Sequence, residues 1–102
     1  MNPARGEAAF TVAGQARALR PTFGALVAAE QELGSLYALV ERASEGQLRL
    51  AEVSALFWHC LTERGDLTRE EMGEAVMDAG LAGCTAPLRC LLGQILRGAA
   101  AG

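Results

Sequence analysis

Apolar and polar positions change rhythm once along the chain, at Leu19-Arg20-Pro21-Thr22-Phe23-Gly24-Ala25-Leu26. Ahead of this stretch the period is two. Phe10 and Val12 share one face of the run Glu7 to Val12, and Arg17 and Leu19 share one face of the run Gln15 to Arg20. Ala13-Gly14 lies between them, so the pattern predicts a β-hairpin over residues 7–20. Alanine is a poor strand former and an isolated hairpin is marginal in water, so this one must pack on helices or on another chain. Beyond the stretch the period is helical almost to the C-terminus. Pro21 disfavours the α region for Arg20 and brings the chain in extended. Thr22 then stands ready to cap the first helix.

Five short helices are expected. The first runs from about Thr22 to Leu33 and stops at Gly34, with Phe23, Leu26, Val27 and Leu33 as an incomplete apolar stripe. Glu30 and Glu32 fall near its C-terminal end, where the helix dipole does not favour them. The second, about Ser35 to Ala43, buries Leu36, Leu39, Val40 and Ala43. The third, about Ala51 to Arg64, carries Val53, Leu56, Phe57, Cys60 and Leu61 on one face. Thr68 followed by Glu71 is a capping box that opens the fourth, which buries Met72, Ala75, Val76 and Ala79 and stops at Gly80. Leu81 to Cys84 reads as a link. Thr85 is placed to cap a last helix with Pro87 in its first turn and the stripe Leu88, Leu91, Leu92, Ile95 and Leu96. The fold class expected is α+β and mainly α: a short hairpin followed by a compact helical bundle over 22–98. Residues 1–6 are expected to be loose and 99–102 to fray.

At 102 residues the chain is one domain, with an expected radius of gyration of roughly 13 Å. Half of it is hydrophobic (51%), with a mean hydropathy of +0.19, although much of that is alanine. A domain this small has a thin core, so some large apolar side chains are expected to remain exposed for a partner. The net charge is −3, with 9 basic and 12 acidic residues. No segment is basic enough to attract a nucleic-acid backbone. A helix-turn-helix drawn around Gly65 would aim Glu70, Glu71, Glu74 and Asp78 at phosphates. No window reaches eighteen uncharged apolar residues, so no membrane-spanning helix is expected. Three cysteines without a secretory leader suit a reduced, cytosolic protein.

The chain offers little for catalysis or metal binding. Cys84 and Cys90 lie too far apart for a structural zinc pair, and His59 and Cys60 point about 100° apart on a helix. Packed thiols are the simpler reading. His59 has no nucleophile to serve. The run Asp66-Leu67-Thr68-Arg69-Glu70-Glu71-Met72 lacks a calcium loop, and the glycines are not gathered ahead of a helix to hold phosphate. No catalytic, metal or cofactor residue is therefore assigned. Candidate partner-binding residues are apolar: Phe57, Trp58 and Leu61 on the third helix, and Leu88, Leu92 and Leu96 on the last.

The text Leu19-Arg20-Pro21-Thr22-Phe23-Gly24-Ala25-Leu26 with Glu30, followed by Leu33-Gly34, Leu67-Thr68, Glu70-Glu71 and Gly80-Leu81, resembles the gene transfer agent family of small phage-tail proteins. The likeness extends from about Glu7 to Leu96. Such proteins are labelled both tail tube proteins and tail assembly chaperones. Tube subunits of long-tailed phages build rings from sheets, whereas strand-like text here covers only the hairpin. The resemblance therefore implies a non-enzymatic tail assembly chaperone. It also implies the cytoplasm of a bacterial host as the setting, and the tape measure and tail tube proteins, together with further copies of itself, as the expected partners. The alternatives are a permanent tail or head–tail connector component, and a small helical transcriptional regulator.

Overall fold

A computed structural model describes residues 7–97. The tails expected at residues 1–6 and 99–102 lie outside that range. The order of elements is β1 (Ala8–Val12), β2 (Gln15–Leu19), α1 (Phe23–Leu33), α2 (Leu36–Ser44), α3 (Leu50–Cys60) and α4 (Arg69–Arg97). The Cα radius of gyration is 12.4 Å.

β1 and β2 pair antiparallel, with Val12 opposite Gln15, Phe10 opposite Arg17 and Ala8 opposite Leu19. Ala13 (φ 52°) and Gly14 (φ 79°) both have positive φ, the requirement of the tight type I′ hairpin turn. Burial alternates strictly along β1: Ala8, Phe10 and Val12 face inward while Ala9 and Thr11 are exposed. The inner row packs on α4, and Phe10 meets Phe57 of α3 edge to face with ring centroids 4.9 Å apart. The hairpin thus gains the helical backing that its own size denies it.

Pro21 and Thr22 do what their sequence positions imply. Thr22 is extended (φ −73°, ψ 162°), and its hydroxyl accepts from the Ala25 N–H at 3.1 Å. Ser35 caps α2 in the same way through Ala38, at 3.2 Å. The inner face of α1 differs from the expected stripe. Ala29 is fully buried, with Ala25, Leu26 and Leu33 packed beside it, whereas Phe23 is 85% exposed and Val27 lies at the surface. The small side chain of Ala29, set at the centre of that face, lets α1 pack against α3.

The third helix is shorter than its apolar stripe suggested. It ends at Cys60, not Arg64, because Leu61 leaves the helix to form a β-bridge with Leu19. Arg20 N–H donates to the Cys60 carbonyl (2.7 Å) and Thr62 N–H to the Ala18 carbonyl (3.2 Å). The outer edge of β2 is therefore covered by this short extended segment. Leu61 is buried all the same, through the sheet rather than through a helical face.

Among the described residues there are four helices rather than about five. The capping box opens α4 as expected: Thr68 N–H donates to Glu71 Oε1 (2.9 Å) and Glu71 N–H to Thr68 Oγ1 (3.1 Å). At Gly80 the helix breaks without ending, since that residue takes φ 71°, ψ −179°, a combination open essentially to glycine alone. Leu81 to Cys84 is helical rather than a link. Thr85 caps nothing; its hydroxyl donates back to the Leu81 carbonyl one turn earlier (2.8 Å). Pro87 consequently lies inside the helix, buried, and not in a first turn. The segment Arg69–Leu96 is also long enough, and at a mean hydropathy of 1.2 apolar enough, to cross a membrane, which no window was expected to be. That length exists only because two helical pieces run on through Gly80. Met72, Val76, Cys84 and Leu91 of the same helix are buried in the protein core.

Candidate functional site

α4 has a surface groove on one flank. Its lining comes from the α2–α3 connection (Gly46, Leu48, Arg49), the start of α3 (Leu50, Val53) and the α4 break (Val76, Met77, Gly80, Leu81, Cys84, Thr85, Leu88), with Ala43 closing one end. The groove has a volume of ≈ 390 Å³. Its rim carries three of the large exposed apolar residues: Leu81 (88% exposed), Met77 (64%) and Leu50 (54%). Burying a leucine or methionine that now faces water would stabilise a complex by roughly 1.5–3 kcal/mol per side chain. Thr85 adds little polarity to the wall, because its hydroxyl is already committed to the Leu81 carbonyl.

The local sequence accounts for this surface. Gly80 re-aims α4, so Met77 before it and Leu81 after it come to the same groove. Opposite them, Leu50 is the first residue of α3, where it projects past the helical stripe that fills the core. The α2–α3 connection is held in place by Glu52. Its carboxylate takes the Arg49 N–H (2.9 Å) and both terminal nitrogens of Arg42 (2.8 and 2.7 Å). These bonds, the Arg42 guanidinium foremost, hold the Glu52 carboxyl below the usual carboxylate range.

The residues singled out from sequence separate in space. Phe57 is fully buried and Leu61 is 7% exposed, so both belong to the core. Trp58 is half-buried beneath two guanidiniums, Arg64 at 4.8 Å and Arg69 at 5.9 Å from its ring centroid. Leu88 lines the groove. Leu92 packs partly against the core, and Leu96 is 63% exposed near the end of α4; neither lines the groove. Met77, Leu81 and Leu50 were not singled out. Their sequence signal was an apolar residue on either side of a helix-breaking glycine, and a leucine ahead of the α3 stripe.

A second, polar cluster joins three helices. Glu32 at the end of α1 accepts from Arg69 of α4 through both oxygens (2.8 and 2.6 Å) and lies 2.8 Å from His59 Nε2 of α3. Arg69 first, and His59 second, lower the Glu32 carboxyl to about 2. The carboxylate unfavourably placed against its own helix dipole is thus held by Arg69 and His59, side chains of two other helices. Glu30, its neighbour, accepts from the Leu36 N–H at the start of α2 (3.1 Å). Both glutamates hold the fold together. Among the cysteines, Cys60 and Cys84 are buried, and burial pushes the Cys60 thiol up to about 12.

The architecture is thus a small hairpin on a helical bundle with an open apolar groove. A family model described as "Phage tail tube protein, GTA-gp10" matches residues 5–98. The chain belongs to that family, and so to the proteins of phage-type and gene-transfer-agent tails. Comparison with curated proteins and with solved structures gives no match.

Proposed function

We propose that this tail-family protein is a tail assembly chaperone, acting in the bacterial cytoplasm, without catalysis or cofactor, on the tape measure and tail tube proteins. The groove at the α4 break carries the reading. It is apolar, open, and rimmed by Leu50, Met77 and Leu81, the surface that an amphipathic helix of a partner needs. A tape measure protein is a long helical chain whose apolar faces require cover before the tube closes around it. The two-stranded hairpin supports the same reading, since a tube wall built from sheets would need more strands than the described residues supply.

Co-expression with the tape measure protein of the same gene cluster tests the proposal. The expected result is a soluble tape measure that co-elutes with this chain on a sizing column. A tape measure that still precipitates, with this chain eluting alone, would overturn it. The family's description as a tail tube protein favours a second reading, a permanent structural piece of the tail. In that case this chain would be found at fixed stoichiometry in purified particles.

A further inference from the structure

The opposite flank of α4 holds a different surface. A groove of ≈ 540 Å³ runs between β1 and α4, lined by Ala9, Phe10, Thr11, Ala13 and Gly14 on one side and by Glu71, Glu74, Ala75, Asp78, Ala79 and Gly83 on the other. In a two-residue hairpin the pair next to the turn exchanges the ladder bonds, and bonded pairs then alternate. Val12–Gln15, Phe10–Arg17 and Ala8–Leu19 are accordingly the bonded pairs in this register. The backbone groups of Ala9 and Thr11 point away from β2 and into the groove. The other edge confirms the parity, because Ala18 and Arg20 of the β2 side are the residues that bond to Thr62 and Cys60. Among the described residues nothing pairs with the outward N–H and C=O groups of Ala9 and Thr11.

We propose that this edge of β1 takes up an extended, basic segment of another protein as an added strand. Main-chain bonds to Ala9 and Thr11 would supply the pairing, and alternate side chains the specificity. Every second side chain of the added strand comes down over the α4 wall. There Glu74 and Asp78, one turn apart and both exposed, form no ion pair among the described residues. Lysine or arginine fits those positions. Glu71 is a weaker contributor, since its carboxylate is engaged in the Thr68 capping box. A second copy of this chain is the wrong occupant. Its own edge, Ala-Ala-Phe-Thr-Val, offers no cation, and pairing β1 with β1 would bring two acidic walls together. This surface is separate from the apolar groove and does not depend on the chaperone reading.

The test is a titration of the 15N-labelled full chain with an octapeptide of alternating lysine and valine, followed by amide hydrogen exchange. The expected result is that Ala9 and Thr11 amides, fast-exchanging in the free protein, become protected, while the Phe10 and Val12 amides stay protected throughout. A glutamate–valine octapeptide should leave Ala9 and Thr11 unchanged. The double variant Glu74→Lys, Asp78→Lys, on the exposed face of α4, should keep its fold and bind the lysine peptide at least about tenfold more weakly, the loss of little more than one good charge contact. Three results would each overturn the proposal: no protection of Ala9 and Thr11 at about 1 mM lysine peptide, equal binding of the glutamate peptide, or amides already protected in a peptide-free dimer.

Discussion

Arg69 grips Glu32 with both terminal guanidinium nitrogens, at 2.8 and 2.6 Å, across 37 residues of chain. The fork ties the C-terminal end of α1 to the N-terminal end of α4, and His59 adds α3 from the side. The carboxyl lies near 2 when folded, against an ordinary 4.5. Since folding lowers it, the pair stabilises the protein above about pH 4.5 and ceases to do so as pH falls toward 2. Both partners are substantially exposed, so solvent screens the gain to about 1 kcal/mol or less. Glu32→Gln should therefore be slightly less stable than the parent in urea at pH 7, and the gap should close near pH 2. A gap unchanged at low pH would show that the charge contributes nothing.

Phe10 and Phe57 join the hairpin to the helices. Their edge-to-face contact should couple them by about 0.5–1.5 kcal/mol beyond buried area. Leucine at each position keeps bulk in the core, so a double-mutant cycle of Phe10→Leu and Phe57→Leu measured by urea unfolding reads the coupling. Simple additivity would mean the hairpin is held by area alone.

Gly80 is the residue on which both flanks of α4 depend. Its backbone conformation is closed to side chains, and Gly80→Ala should cost about 1–3 kcal/mol. Gly83 is constrained for a different reason. A Cβ there would lie 2.9 Å from the Ala79 Cβ, so Gly83→Ala should also destabilise the break. Thermal melts of both variants check this. An unchanged Gly80→Ala would mean that α4 runs straight at little cost.

Local signals in the sequence were legible and long-range ones were not. The hairpin, the Thr22 and Ser35 caps and the Thr68–Glu71 box depend on neighbours a few residues away, and all are present. The end of α3 was misplaced because Leu61 answers to Leu19, 42 positions earlier, rather than to its own helical stripe. The continuation of α4 through Gly80 was hidden because a glycine that breaks a helix and one that ends it look alike in the sequence. Candidate contact residues followed apolar stripes. Within one small core those stripes first fill the interior, as Phe57 and Leu61 do. What remained outside were the apolar residues that flank a break, Met77 and Leu81.

The groove itself gives the most direct measurement. Leu81→Asp and Met77→Asp place charge on two side chains that are largely exposed already, so stability should change by no more than about 0.5 kcal/mol. Binding to purified tape measure segments, followed by titration calorimetry, is predicted to weaken at least tenfold in each variant, or by about 1.4 kcal/mol or more. Leu96→Asp, off the groove, should bind as the parent does. If Leu81→Asp and Met77→Asp bind the tape measure as tightly as the parent protein, the groove is not its seat and the account of this chain as a helix-holding assembly factor is contradicted.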